Sequence, residues 1–215
     1  MQSILFNTRR CKQATTRLLH AADIGPKKWD HDVMICGGGV VGAALAADLL
    51  HRTGGLCNVG LVESTPPKDY FKTDADAPDV RVYALSPHSI EVLERIGAWK
   101  YIEPRSKPYN TMQIWEESGP GMLRFCAKEM DATELGRICE DQTIQSAIFQ
   151  SIKDKGYNFT TYFNHAVNDV KLPMNGNNPN GAGVVSLQVK GSKEEVHLHS
   201  RFVISTSANF VQNIL

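Results

Sequence analysis

Gly37, Gly39 and Gly42 stand in the spacing G-x-G-x-x-G, and the chemistry that spacing serves is the holding of a diphosphate. The first glycine permits a tight turn out of a strand, the second lets the backbone approach phosphate oxygens, and the third lets a helix pack closely on its neighbour. A helix opening at Val40 and Val41 would aim free N–H groups and the positive end of its dipole at the same anion. Glu63 lies about 20 residues beyond the last glycine, where a carboxylate accepts hydrogen bonds from ribose hydroxyls. As an anion it would repel a 2'-phosphate, so this site disfavours NADP. The glycines alone are a weak signal, with a structural Gly-rich turn as the alternative; the order of elements around them decides.

Those elements are in place. Val33 to Cys36 is a short continuous apolar run, as expected of a strand buried on both faces of a parallel sheet. Val40 to Arg52 reads as an alanine-rich helix with Leu45 and Leu49 one turn apart, stopped by Gly54 and Gly55. Asn58 to Val62 forms a second strand that delivers Glu63. Strand, glycines, helix, strand and acid make a Rossmann-like βαβ unit, so the fold class is α/β. Nothing in this unit chooses between FAD and NAD.

Composition sets the outer bounds. The 215 residues are 42% hydrophobic and 21% charged, which carries neither the low-hydrophobicity signature of disorder nor the apolar excess of an integral membrane protein, so a soluble globular domain is the default. Basic and acidic side chains total 23 each, so net charge gives no case for a nucleic-acid partner. Five scattered cysteines without C-x-x-C spacing argue against a disulfide framework and a zinc site, and suit a reducing compartment. Met1 to Ala22 carries Arg9, Arg10, Lys12 and Arg17 and no acidic residue, the composition of a mitochondrial transit segment. A basic N-terminus with no address is the alternative.

A second motif follows the βαβ unit. Beyond a loop from Pro66 to Pro78, Ser86 and Pro87 open a helix as N-cap and first residue, Ile90, Leu93 and Ile96 share its inner face, and Gly97 ends it. Asp79, Arg81, Ala84, Leu85 and Ser86 give D-x-R-x-x-A-L-S ahead of that helix, which closes on I-G-A-W. With the glycines and the basic leader, this pattern resembles the aromatic-ring hydroxylases of ubiquinone biosynthesis, flavin-dependent monooxygenases, over residues 32 to 204. The resemblance implies FAD as cofactor, with Arg81 reaching towards the flavin or its phosphate-sugar part. The physical alternative for Arg81 is a solvated ion pair with Asp79 or Asp76.

Further implications concern the remainder. Thr111 to Glu116 and Met122 to Cys126 read as strands about a Gly119-Pro120-Gly121 turn. In the resembling family, such strands belong to a mixed sheet covering the flavin on its substrate side. Residues 136 to 145, G-R-I-C-E-D-Q-T-I-Q, match the family's E-N-R-x-x-Q region loosely, which makes Gln142 or Asp141 a flavin-side contact. Asp141 is otherwise explained as the N-cap of a helix from Gln142 to Lys155, on which Ile144, Ile148 and Ile152 form a core stripe. Residues 159–163, 166–171, 184–190 and 195–199 read as strands, with a surface loop from Asn175 to Gly183. His197 and His199 could share a strand face as metal ligands, but exposed hairpin residues are the better reading. No metal site and no catalytic residue is assigned.

The family's G-A-D-G-x-N-S segment, whose aspartate binds the flavin ribityl chain, is not recognisable after the strand Arg201 to Ile204; only Asn209 matches. The organisation expected is a transit segment at 1–28, an FAD-binding domain with part of an interleaved, incomplete mixed-sheet substrate domain at 29–204, and a divergent tail at 205–215. By resemblance the substrate is a polyprenylated aromatic quinone precursor. The partners are other ubiquinone-biosynthesis proteins and a ferredoxin-type electron donor, and the place is the matrix side of the mitochondrial inner membrane, by peripheral association. Family members continue for roughly as many residues again, so this chain alone is expected to retain FAD weakly and not to turn over. A noncatalytic fragment that docks to the biosynthetic assembly and an NAD-dependent oxidoreductase remain the alternatives.

Overall fold

The computed structural model describes residues 29–66, 79–171, 183–189 and 195–206. The leader at 1–28, nearly all of the loops at 66–78 and 175–183, and residues 207–215 with Asn209 lie outside the described residues.

The chain begins β1 (His31–Cys36), α1 (Val40–Thr53) and β2 (Val59–Glu63). It continues through β3 (Val82–Leu85), α2 (Pro87–Arg95), α3 (Trp99–Ile102) and β4 (Lys107–Tyr109) into a hairpin of β5 (Thr111–Trp115) and β6 (Met122–Cys126). Then come β7 (Gly136–Glu140), α4 (Asp141–Lys155), β8 (Phe159–Phe163), β9 (His165–Lys171), β10 (Gly183–Val189) and β11 (Glu195–Ser205).

Six strands form one sheet in the order β8-β2-β1-β11-β10-β9. The first four run parallel, while β10 is antiparallel to both β11 and β9. Strand β11 joins the two halves. Glu195 to Ser200 pair with β10, and Ser200 to Ser205 pair with β1, so Ser200 lies opposite both Gly183 and His31. The antiparallel meander thereby folds back over one face of the parallel strands. Alternate side chains separate accordingly. Val33, Ile35, Val59 and Leu61 pack against Ala43, Ala46, Ala47 and Leu50 of α1 and Ile144 and Ile148 of α4. Met34, Cys36 and Val62 pack against Val185, Leu187 and Leu198. Both faces are buried, which is why the strand residues read as unbroken apolar runs. The alanines of α1 let that helix lie close to the sheet, and Ile144, Ile148 and Ile152 form the buried stripe expected of α4.

A second sheet, in the order β3-β7-β4, packs Leu85 and Cys139 against the same core as Trp99, and β5 and β6 form a separate two-stranded sheet. Helix α2 starts as the sequence indicates, with the Ser86 hydroxyl accepting from the Ser89 N–H at 3.3 Å and Pro87 in the first turn. Burial pushes the thiols of Cys36 and Cys139 up, to about 12 and about 11.

Three local readings are corrected. Residues 195–199 and 201–204 are one strand, because β11 changes partners at Ser200 without leaving the sheet. Asp141 is the first residue of α4, not its cap. The Asp79 carboxylate supplies the cap from far along the chain, accepting the Gln142 N–H at 3.1 Å. Arg81 is exposed as its alternative reading held, but its ion partner is Asp141 at 3.2 Å; Asp79 instead accepts the Arg81 backbone N–H. His197 and His199 are exposed, the former beside the Ser186 hydroxyl and the latter beside the Asp30 carboxylate. Among the described residues, no group of three side chains could hold a metal ion.

Candidate functional site

The C-terminal ends of parallel strands are where ligands bind in α/β sheets, and the glycine turn sits at that edge. The chain leaves β1 at Gly37, whose φ of 116° is a conformation that L side chains rarely adopt. The Gly37 N–H donates to the Val62 carbonyl at 2.9 Å, tying the turn to the end of β2. Helix α1 then comes so close that a Cβ on Gly42 would lie 1.9 Å from the Gly37 carbonyl oxygen. Only glycine fits there.

Three side chains from three elements grip the backbone of this turn. Glu63, at the end of β2, accepts the Gly38 N–H at 2.7 Å through Oε2. Its other oxygen accepts from the Ser64 hydroxyl at 3.0 Å and the Thr65 N–H at 3.1 Å. Gln145 of α4 donates from Nε2 to the Gly38 carbonyl at 2.7 Å. Thr206, just past β11, donates its hydroxyl to the Gly37 carbonyl at 3.0 Å, and its N–H donates to the Cys36 carbonyl at 2.9 Å.

The turn opens on a set of unused donors. Gly39 caps α1 without a side-chain hydrogen bond, and a Cβ placed there would meet nothing within 4 Å. Among the described residues no acceptor meets the N–H groups of Gly39, Val40, Val41 or Gly42, the unpaired donors that every helix N-terminus leaves. Val40 packs against the core, whereas Val41 is 70% exposed at the mouth. An anion at this point would meet oriented N–H groups and the dipole of a 14-residue helix, with the Glu63 carboxylate beside it for a sugar hydroxyl. The residues present fit the diphosphate and ribose of an adenine dinucleotide.

Arg81 and Gln142 lie together at the start of α4, one helical turn from Gln145. The Arg81 carbonyl accepts the Asp141 N–H at 3.0 Å, and the Arg81 guanidinium reaches the Asp141 carboxylate. Behind them Glu140 is held by Arg105 at 2.8 Å and by the Thr143 hydroxyl. Burial by itself would raise the Glu140 carboxyl, but these donors together with the Asp79 N–H bring it below the ordinary carboxylate range. The structure thus gathers Gly37, Gly39, Val40, Val41, Gly42 and Glu63 around one mouth and sets Arg81 and Gln142 on the adjoining helix end. Sequence reasoning missed Gln145, Thr206 and the tightness at Gly38, where a Cβ would fall 2.7 Å from that of Glu63. Gln145 had a signal: it is the final glutamine of the E-N-R-x-x-Q-like stretch, three residues past Gln142.

No protein-family model matches the chain. The chain is 31% identical over 123 residues to 3-demethoxyubiquinol 3-hydroxylase of Escherichia coli, a match covering 57% of this chain and 30% of that one. With the ubiquinone biosynthesis monooxygenase COQ6, mitochondrial, of Drosophila melanogaster it shares 32% over 148 residues, 68% of this chain and 30% of the other. Its sequence relatives include ubiquinone-biosynthesis monooxygenases. The chain spans about 30% of the length of these curated relatives. Among solved structures, p-nitrophenol 4-monooxygenase of Pseudomonas putida matches with a TM-score of 0.60 at 16% identity, over 86% of this chain and 42% of that one. The flavin-dependent monooxygenase PieE, solved in complex with FAD and substrate, matches with a TM-score of 0.57 at 16% identity, over 80% of this chain and 29% of that one. Likeness at that identity speaks for the fold alone, a Rossmann-like α/β fold shared with these monooxygenases.

Proposed function

We propose that the chain carries the FAD-binding part of a flavin-dependent monooxygenase that hydroxylates the aromatic ring of a polyprenylated ubiquinone precursor. The observation that carries this reading is the glycine turn, with four N–H donors at its mouth that no acceptor among the described residues meets and Glu63 bonded to its central peptide. That arrangement suits the adenosine diphosphate half of FAD, and the ubiquinone-biosynthesis hydroxylases among the relatives support the reaction class. When bound and reduced, the flavin would supply the means to activate oxygen for transfer to the ring. The protein groups named here would bind and orient. Gly39, Val40, Val41 and Gly42 hold the diphosphate, Glu63 receives the ribose, and Arg81 and Gln142 flank the path towards the flavin.

The wider setting belongs to the same proposal. Relatives named as mitochondrial support a mitochondrial location, and within it we propose the matrix side of the inner membrane. Peripheral association there would give access to the lipid-tailed substrate, to other ubiquinone-biosynthesis proteins and to a ferredoxin-type donor. Among the described residues, no helix is long and apolar enough to cross a membrane. The test is an absorption titration of the purified chain with FAD beside a fluorescence titration with NADH. Saturable perturbation of the flavin bands without NADH quenching is expected. Quenching by NADH with no response to FAD would overturn the flavin reading in favour of a nicotinamide enzyme.

A further inference from the structure

We infer that Gln145 is a positioning residue that aims the Gly39 N–H into the diphosphate cradle, an inference that rests on the dinucleotide reading of the glycine turn. A trans peptide points its carbonyl and its N–H in opposite directions, so fixing one fixes the other. The peptide joining Gly37 and Gly38 is fixed at both ends: its N–H donates to Glu63 at 2.7 Å and its carbonyl accepts from Thr206 at 3.0 Å. The peptide joining Gly38 and Gly39 is fixed at one end only. Its carbonyl accepts the Gln145 amide at 2.7 Å, and its N–H has no acceptor among the described residues.

Glycine on both sides of this peptide leaves it free to rotate unless something holds it, and Gln145 is the side chain on it. The holder is well anchored. Gln145 lies on α4 between Ile144 and Ser146, and its neighbours Ile144 and Ile148 are fully buried against the sheet. The direction of the Gly39 N–H is therefore set by a helix that follows more than 100 residues later in the chain. Without the amide, the peptide can turn its carbonyl towards the mouth and present an oxygen to the phosphate in place of a donor.

The test compares ADP and adenosine on the full chain by NMR titration, in the wild type and in Gln145→Met and Gln145→Glu. Both substitutions keep the side chain's length and remove its donor. Because donors to charged groups contribute more than neutral ones, ADP affinity should fall on the order of tenfold or more, while adenosine affinity stays within about twofold. The Gly39 amide should lose its shift response to ADP. Gln145→Lys, which restores a donor, should recover part of the ADP affinity. Unchanged ADP affinity in both donorless variants, or equal loss for ADP and adenosine, overturns the positioning role. A wild-type chain that binds neither ligand overturns the dinucleotide reading itself, and the thermal midpoint of each variant distinguishes a misfolded protein from a misaimed peptide.

Discussion

The parallel sheet and the β5–β6 hairpin are both built from apolar strand residues, yet they end in opposite environments. Met34, Ile35, Leu61 and Val62 are covered on two faces, by helices on one side and the meander on the other. In the hairpin, Met112 pairs with Phe125 and Ile114 with Leu123, so these four share one face, and they are 39–60% exposed. That face is left largely open to solvent. An isolated two-stranded ribbon is marginal in water, so the nucleotide half of the molecule is held by its own core while the hairpin contributes little to it. Strand pattern sets local structure, and burial sets what a residue is worth.

Substitutions break that comparison in a graded way. Gly42→Val places side-chain atoms against the Gly37 backbone, which cannot give way, and should lower stability by more than about 4 kcal/mol or abolish soluble folded protein; urea unfolding decides. Ile144→Ala should cost about 2–5 kcal/mol in the same assay, because the cavity opens in a packed interior. Ile114→Ala, the matching truncation on the hairpin, should lower the unfolding free energy by no more than about 0.5 kcal/mol. Equal losses at 144 and 114 would mean that the hairpin face is covered in solution.

The smallest expected effect is electrostatic. Hydrogen bonds from the Tyr101 hydroxyl, foremost, and from the Gln150 amide and Lys100 ammonium lower the Asp154 carboxyl from 3.8 to about 2. A depressed carboxyl stabilises the fold above its unfolded pKa and loses that contribution as pH falls through the folded one. Wild type should therefore exceed Asp154→Asn in stability at neutral pH, by an amount modest for so exposed a site, and the gap should close between pH 4 and 2. Thermal melts across that range test it, and a gap independent of pH would contradict the assignment.

Much of this was legible from the residues. Glycine spacing, the apolar run before it and the acid after it specify the βαβ unit because each answers a local steric or electrostatic demand, and the Ser86-Pro87 helix start is equally local. What escaped was long-range. Asp79 caps a helix 62 residues away, Thr206 closes on the turn from the end of β11, and Gln145 reaches Gly38 across the sheet edge. Such contacts depend on which strands become neighbours, and no window along the chain contains that information. The two strands read at 195–199 and 201–204 were fused for the same reason, since a change of partner leaves the backbone extended.

The central claim is that residues 37 to 42 hold a diphosphate while Glu63 receives the adjoining ribose. Isothermal titration of the chain with ADP, beside Glu63→Gln, tests it most directly. Saturable 1:1 binding that weakens on the order of tenfold in the variant is the expected result; no heat from ADP, or identical affinity in the two proteins, would contradict it.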